Sequence, residues 1–249
     1  MDFKSSNPVI SEKIFDRVEA HEGDVMTVRG TMNKFGIMFL MVLAGASFTW
    51  DLFFKGEDVR PWMWGSLIGG FVVALVIMFK KEWAPYLALA YAALEGLFLG
   101  AISAVFHEAF SVSYPGIIMQ AVLLTLGTCV AMYGLFHFGV IRATDRFKKI
   151  VITATMGIAF FYLINMVLRL FGVQMPFLHD NSLLGIGISL FIVAIAALNL
   201  ILDFDRIEQG AAQGAPKYFE WYGAFGLLVT LVWLYLEILR LLSRFSSRD

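Results

Sequence analysis

Cysteine and histidine are scarce in this sequence, which has one cysteine, Cys129, and four histidines among 249 residues. A single cysteine cannot form an intramolecular disulfide, and the sequence has no CxxC or Cys/His box of the kind that holds zinc. The histidines are scattered, without the regular spacing of metal ligands. We therefore expect no disulfide-stabilised fold, no histidine- or cysteine-bound metal and no resident cofactor.

Catalytic signatures are missing as well. The sequence contains no GxSxG, HExxH, P-loop or GxGxxG motif, which excludes the common hydrolase, metalloprotease and nucleotide-binding patterns. The GxGD pattern of an intramembrane aspartyl protease is also lacking. The protein is therefore predicted not to be an enzyme. A net charge of −1 gives no sign of a nucleic-acid partner.

Charged residues are few, at 16% of the sequence, whereas apolar residues make up 59%. Typical soluble domains have about 25% and about 45–50% respectively. Seven apolar runs are long enough to cross roughly 30 Å of hydrocarbon, and short connectors join them. The sequence predicts an all-α membrane protein, a bundle of seven transmembrane helices in a lipid bilayer, with runs at 35–54, 62–79, 83–106, 117–141, 150–171, 183–202 and 218–242.

The chain divides by composition into three parts. Residues 1–34 are polar with mixed charge and lack the apolar core of a signal peptide. Residues 35–242 form the predicted membrane domain, and residues 243–249 form a short basic tail. Thirteen Lys and Arg fall on the side of the N-terminus and two on the other side, which predicts a cytoplasmic N-terminus.

The seventh run departs from this charge bias, because a full crossing would carry Arg240, Arg244 and Arg248 to the side that is poor in basic residues. Either this run is a central helix within the bundle, or it re-enters and returns to the cytoplasm. Small residues suit close helix packing, and they occur here at Gly223 and Gly226 and in the third run as Gly96-x-x-x-Gly100.

One face of the seventh run carries the polar residues. Side chains spaced three and four apart share a helix face, and a carboxylate in an apolar helix costs roughly 2.5–3.5 kcal/mol on insertion scales. Glu237 is therefore expected to face protein or water. The face consists of Gly223, Gly226, Thr230, Trp233, Glu237, Arg240 and Arg244.

Two further acids lie in apolar runs. Glu95 is in the middle of the third run, where a structural role and a role in a permeation path are equally plausible. Asp203 ends the sixth run, where the negative end of the helix dipole disfavours its ionised form. Cations at the same membrane level would oppose that effect, and the candidates are Arg206, Lys80 and Lys81.

Asp203 and Glu237 would meet if the seventh helix is central. Two carboxylates in a dry site cannot both ionise cheaply, so the pair would act as a proton-controlled latch. Protonated, it would share a hydrogen bond and hold two helices together; deprotonated, it would repel and let them part. Its ionised oxygens would also suit Ca²⁺. In the alternative, each acid pairs with an arginine, Asp203 with Arg206 and Glu237 with Arg240.

Three short motifs resemble the signatures of a known family. They are EGLFLG around Glu95, LDFDRI around Asp203 and YLEILRLL around Glu237. In order and spacing they are similar to the Bax inhibitor-1 (transmembrane Bax inhibitor motif) family, in its bacterial YccA-like branch. The resemblance covers the chain from Thr27 onward, including the basic RATDRFKKIV loop before the fifth run.

This resemblance implies seven helices with the C-terminal one in the centre, and a pH-sensitive Ca²⁺ leak in the bacterial inner membrane. It implies that Asp203 and Glu237 form the proton-sensing pair, with Glu where many relatives have Asp. It also implies a basic counter-charge at the end of the second helix, either Lys80 or Lys81. A second hypothesis follows from the bacterial branch, namely that the protein binds and modulates an FtsH-type ATP-dependent membrane protease through residues 1–34.

Overall fold

The computed structural model describes residues 25–172 and 183–246, and nearly all of them are helical. Seven of the described helices are long and apolar enough to cross a membrane, which confirms the predicted all-α seven-helix membrane bundle. A short 3₁₀ turn, Lys81–Trp83, connects the second and third helices. The helices are α1 Val28–Phe54, α2 Arg60–Phe79, α3 Ala84–Phe110, α4 Ile117–His137, α5 Asp145–Leu170, α6 Leu183–Ala212 and α7 Phe219–Ser246.

The C-terminal helix α7 is central, as predicted. It packs against α1, α3, α4 and α6, whereas α2 packs mainly on α3, and α5 mainly on α6. Its apolar side chains form the middle of the two largest core clusters, and Leu228 and Leu234 are completely buried. A helix surrounded in this way has no continuous face for lipid, which explains how a sequence with acidic and basic residues is tolerated at membrane depth.

Helix α7 is unbroken over 28 residues, a length of about 42 Å at 1.5 Å per residue. It therefore crosses the bundle fully, and the re-entrant alternative is wrong. Arg240 and Arg244 lie within the helix and not in a loop, whereas Arg248 lies outside the described residues. Arg244 is 6% exposed and donates a hydrogen bond to the carbonyl of Gly185 at the start of α6. The rule that basic residues favour the cytoplasmic side applies to loop residues near the ends of spans. It does not apply to arginines that are bonded within the bundle.

Glycines in α3 allow α1 and α3 to approach closely. A Cβ on Gly96 would lie 2.9 Å from the Cα of Val42, and one on Gly100 would lie 2.7 Å from the Cα of Ala46. Both distances are shorter than any ordinary carbon–carbon contact, so only glycine fits. The predicted role of Gly96-x-x-x-Gly100 in helix packing is confirmed.

The two glycines of α7 differ from each other. A Cβ on Gly223 would lie 3.2 Å from a side-chain carbon of Thr31, so this glycine does serve close packing. A Cβ on Gly226 would meet nothing within 4 Å. The prediction that Gly226 is a packing position is therefore wrong.

Helices α1 and α6 extend furthest beyond the predicted runs. Helix α1 begins at Val28 because Thr27 caps it, with its hydroxyl accepting from the backbone N–H of Gly30 at 2.9 Å. The backbone N–H of Met26, which is 4% exposed, bonds to the carbonyl of Ala215. Residues 25–34 thus belong to the bundle, and the polar segment is shorter than the predicted 1–34. Residues 1–24, with most of the predicted protease-binding segment, lie outside the described residues.

Helix α6 continues to Ala212, ten residues beyond the predicted end. The sequence after Leu202 is polar, but Phe204 and Ile207 remain buried, so the helix stays amphipathic and continues. Asp203 consequently lies nine residues before the end of α6. The helix dipole acts within the last turn, so the predicted dipole effect on Asp203 is wrong.

Candidate functional site: the polar stripe of the central helix

The polar face of α7 will be called the α7 stripe. Its side chains are buried or partly exposed beside neighbouring helices, and three of them bond to an acid of α6 or a hydroxyl of α5. Together with Glu220 at the start of the helix, it places polar groups at intervals along the full length of α7. The α7 stripe comprises Gly223, Gly226, Thr230, Trp233, Glu237, Arg240 and Arg244.

Asp203 joins α6 to the middle of this stripe. Its side chain is 8% exposed, and one carboxylate oxygen accepts a hydrogen bond from the Thr230 hydroxyl at 2.5 Å. The other oxygen lies 3.5 Å from the guanidinium of Arg206, whose side chain is 65% exposed. An ion pair that long and that open to its surroundings contributes little, so Thr230 is the main partner of Asp203.

Neither lysine predicted as a counter-charge reaches Asp203 in the part of the chain that the structure describes. Lys81 lies over the rings of Phe219 and Tyr222, at 6.0 and 5.3 Å from their centres, while Lys80 is exposed. Of the three predicted cations, Arg206 is the one that faces Asp203. The predicted pairing with Lys80 or Lys81 is wrong, because the end of α2 packs beside the first turns of α7. Thr230 lies further along that helix.

Glu237 lies in a different cluster, between α7 and α5. It is 2% exposed and accepts hydrogen bonds from the Tyr162 hydroxyl at 2.8 Å and the Trp233 indole at 3.2 Å. The guanidinium of Arg240 lies 2.9 Å from both carboxylate oxygens and donates to the Tyr162 hydroxyl at 2.6 Å. The buried charge is thus compensated by a cation and by two neutral donors, which is what makes its burial tolerable.

The two acids do not meet. No hydrogen bond joins them within residues 25–172 and 183–246, and their partner sets are separate. Thr230 and Glu237 are seven residues apart on α7, which is about 10.5 Å along the axis. Asp203–Arg206 and Glu237–Arg240, the alternative left open by the sequence, are the pairs that the structure contains.

In this conformation the two acids have separate partners, so the structure does not bring their oxygens together as joint ligands of Ca²⁺. The described residues contain no group of three or more His, Cys, Asp or Glu side chains that could hold a metal ion. Ca²⁺ takes six to eight oxygen ligands in protein sites. Asp203 and Glu237 therefore do not form a resident Ca²⁺ site in this conformation.

Glu95 lies apart from the α7 stripe. Its carboxylate interacts with the Tyr91 hydroxyl on the same helix and points toward Gly70 of α2. The ring of Tyr91 in turn packs edge-on against Phe225 of α7, at 4.8 Å between ring centres. The contact of Glu95 with the central helix is therefore indirect, through an aromatic pair.

Glu220 was not identified from the sequence as a candidate functional residue. Glu220, in the first turn of α7, is completely buried and accepts from the backbone N–H and hydroxyl of Thr27 at 2.9 and 2.8 Å. It also forms ion pairs with Lys34 of α1 and, at 3.0 Å, with Lys217. The signal that could have found it is a lone acid at the start of an apolar segment, at the membrane level of several lysines. We call these four residues the Glu220 cluster.

The Tyr162 hydroxyl gives a direct test of the Glu237 cluster. Tyr162→Phe removes one hydrogen bond to a buried carboxylate, which typically contributes about 1.5–3 kcal/mol, and leaves Arg240 in place. We expect a clear decrease in the melting temperature of the detergent-solubilised protein. Tyr86→Phe is the matched control, because Tyr86 is 82% exposed, and it should leave the melting temperature unchanged. Equal melting temperatures for the two variants would contradict the role assigned to Tyr162.

Comparison with known proteins gives one match. A family model described as Bax inhibitor 1 like matches residues 7–247, nearly the whole chain. Neither the search of curated proteins nor the search of solved structures returned a match.

Proposed function

Because the chain belongs to the Bax inhibitor 1 like family and is a multi-pass membrane protein, we propose that it is a pH-sensitive leak pathway for cations such as Ca²⁺. We place it in the bacterial inner membrane with a cytoplasmic N-terminus, in keeping with the distribution of basic residues. The observation that carries the proposal is the buried carboxylate of Asp203, held across the α6–α7 interface by a single hydroxyl.

The path follows the α7 stripe. Thr230 faces α6, and the Glu237–Arg240 pair faces α5, a helix that contacts little besides α6. Ionisable residues at membrane depth mark ion and proton pathways by default. Since the acids are spread along the helix, they support passage of a cation from site to site without a resident binding site.

Asp203 and Thr230 form the gate. The ionised carboxylate is the stronger acceptor for the Thr230 hydroxyl and is also attracted by Arg206, the charged group that faces it in the described structure. Arg206 lies on the same helix as Asp203 and only stabilises the ionised form, whereas the bond to Thr230 holds α6 against α7, so the ionised form favours the closed state. Protonation weakens this bond, and the leak rises as the pH falls. This direction is opposite to that predicted for a latch made of two acids.

The decisive measurement is Ca²⁺ entry into liposomes that contain the purified protein and a Ca²⁺ indicator, across a pH series. Wild-type leak should increase toward acidic pH. Asp203→Asn is neutral at every pH, so its leak should be high and independent of pH. At alkaline pH it should exceed the wild-type leak by about tenfold, the effect of losing about 1.4 kcal/mol of charge-assisted bonding.

Two further variants sharpen the test. Thr230→Val keeps the acid but removes the donor, so its leak should be raised at all pH values. Asp205→Asn is the matched control, because Asp205 pairs with Lys148 and Gln209 away from the α7 stripe, and it should behave as wild type. A pH-dependent leak that Asp203→Asn leaves unchanged would refute the gate. Absence of any leak from folded protein would refute the channel, and would favour the protease-binding hypothesis derived from the sequence.

A further inference from the structure

A cavity of about 580 Å³ lies between α1, α3, α4 and α7, away from the α7 stripe. This volume is within the range of small-molecule binding sites, about 300–1,000 Å³. Its floor is formed by buried side chains of the central helix, including Leu228, Val232 and Tyr235. The lining comes from the second half of α1 and the first half of α4, so the cavity lies in the half of the membrane in which α1 ends.

Three hydroxyls in the cavity wall are bonded to protein. The hydroxyls of Ser103 and Tyr235 bond to each other at 2.6 Å, and the Thr125 hydroxyl donates to the carbonyl of Ala121 at 2.7 Å. Ordered water requires several polar partners, and cavities without them stay dry. The surface that the cavity presents is therefore mostly hydrocarbon, lined by residues such as Val42 and Leu231.

The cavity opens sideways. Helices α1 and α4 both pack on α7, but they do not pack closely against each other in the described bundle. The rim of the opening has exposed side chains, with Leu43 on α1 at 44% and Met119 on α4 at 64% exposure. The opening continues into the lipid-facing surface formed by Leu40 and Leu123, which are 66% and 62% exposed.

We propose that this cavity binds one acyl chain of a bilayer phospholipid, which enters between α1 and α4 and reaches the central helix. The occupant follows from the position of the site, because hydrocarbon chains of the bilayer surround its opening and water does not. At the membrane surface, the ring of His107 packs against Trp50 at 5.5 Å between ring centres. This aromatic pair closes the end of the cavity that lies nearest the lipid headgroups. The inference depends on the membrane location and not on the proposed leak.

The test is photolabelling with a phosphatidylcholine that carries a diazirine in the middle of one acyl chain, mixed into phosphatidylethanolamine–phosphatidylglycerol vesicles containing the full chain. Labelled residues are mapped by mass spectrometry. We expect Leu228 and Val232 to be labelled several-fold more than Leu234, which is equally buried on α7 but does not line the cavity. Labelling of Leu228 and Val232 no greater than that of Leu234 would overturn the proposal.

A filled cavity provides the matched control. Val122→Trp places a large ring in the lining and should abolish labelling of Leu228 and Val232. Leu123→Trp, on the lipid-facing side of α4, should leave it unchanged. If both variants retain the labelling, the chain reaches α7 by another route and the site is refuted.

A second measurement asks whether the cavity contains water. Ser47 lines the cavity, and Ser47→Cys in a Cys129→Ser background places a single thiol there. Maleimides react with the thiolate, which forms in water, so a water-soluble maleimide should leave Cys at this position unmodified in intact vesicles. Rapid modification would show a water-filled cavity and overturn the proposed lipid site.

Discussion

Gly100→Leu should prevent α1 and α3 from packing and abolish recovery of folded protein. The Cβ of a leucine at this position would overlap the backbone of α1 at Ala46 and the hydroxyl of Thr49. Overpacking a core usually costs about 1–3 kcal/mol when side chains can adjust. Here the obstacle is main chain, in the largest helix–helix interface of the bundle, so the cost should exceed that range. The measurement is the monodisperse fraction in size-exclusion chromatography after extraction in mild detergent.

Gly127→Leu provides the control for this substitution. Gly127 lies inside α4, and a Cβ there would meet nothing within 4 Å. The variant makes the same chemical change in a helix of the same bundle, and we expect it to be recovered as a folded protein. If Gly100→Leu were recovered as well as Gly127→Leu, the close approach of α1 and α3 would not be a requirement of the fold.

Glu220→Gln should destabilise the protein by about 3 kcal/mol. Removing one partner of a buried ion pair typically costs about 3–5 kcal/mol, because the other charge is left uncompensated. We expect the lower end of this range, because Lys217 is 47% exposed and can turn toward its surroundings once Glu220 is neutral. Lys34 is only 17% exposed and is the charge left uncompensated. The measurement is the shift of the denaturant midpoint in micelles. The additional variant Glu220→Gln/Lys34→Met removes both charges and should recover part of the loss, as expected for coupled residues.

The matched control is Asp51→Asn. Asp51 and Lys55 form an ion pair at 2.5 Å, but their side chains are 60% and 62% exposed. The hydrogen bond to Asp51 raises the pKa of Lys55, but exposed pairs of this kind contribute little to folding. The denaturant midpoint of Asp51→Asn should therefore match that of wild type. An equal shift for Glu220→Gln and Asp51→Asn would show that the Glu220 cluster is no more than a surface feature.

The number of helices and the central position of the last one could be predicted from the sequence. Seven apolar runs fix the number of crossings, and a helix that carries Glu237 within an apolar run must be shielded from lipid. The ends of helices were less predictable. In α6, the mean hydropathy falls after Leu202, although Phe204 and Ile207 still pack on one side of the helix. Mean hydropathy does not distinguish the two sides of a helix, so it does not show that the helix continues.

The partner of Asp203 was missed for a geometric reason. Thr230 and Glu237 share a helix face, so spacing along α7 alone cannot decide which of them Asp203 meets. The register between helices decides it. A short connector joins α6 and α7, so residues equally distant from residues 215 and 216 lie opposite each other. Counting in this way pairs Asp203 with residue 228 and Gly185 with residue 246, each two residues from the observed partners Thr230 and Arg244.

The arginines of α7 have a consequence for how the protein is made. An arginine in the membrane is costly until it has a partner, and the partner of Arg244, the carbonyl of Gly185, belongs to the helix that is synthesised just before it. Arg240 pairs with Glu237 on its own helix and also donates to Tyr162 of α5. The last helix can therefore complete its insertion only after the preceding helices are in place to receive it. The last step of biogenesis is therefore the insertion of a charged helix, which the six helices already in the membrane stabilise.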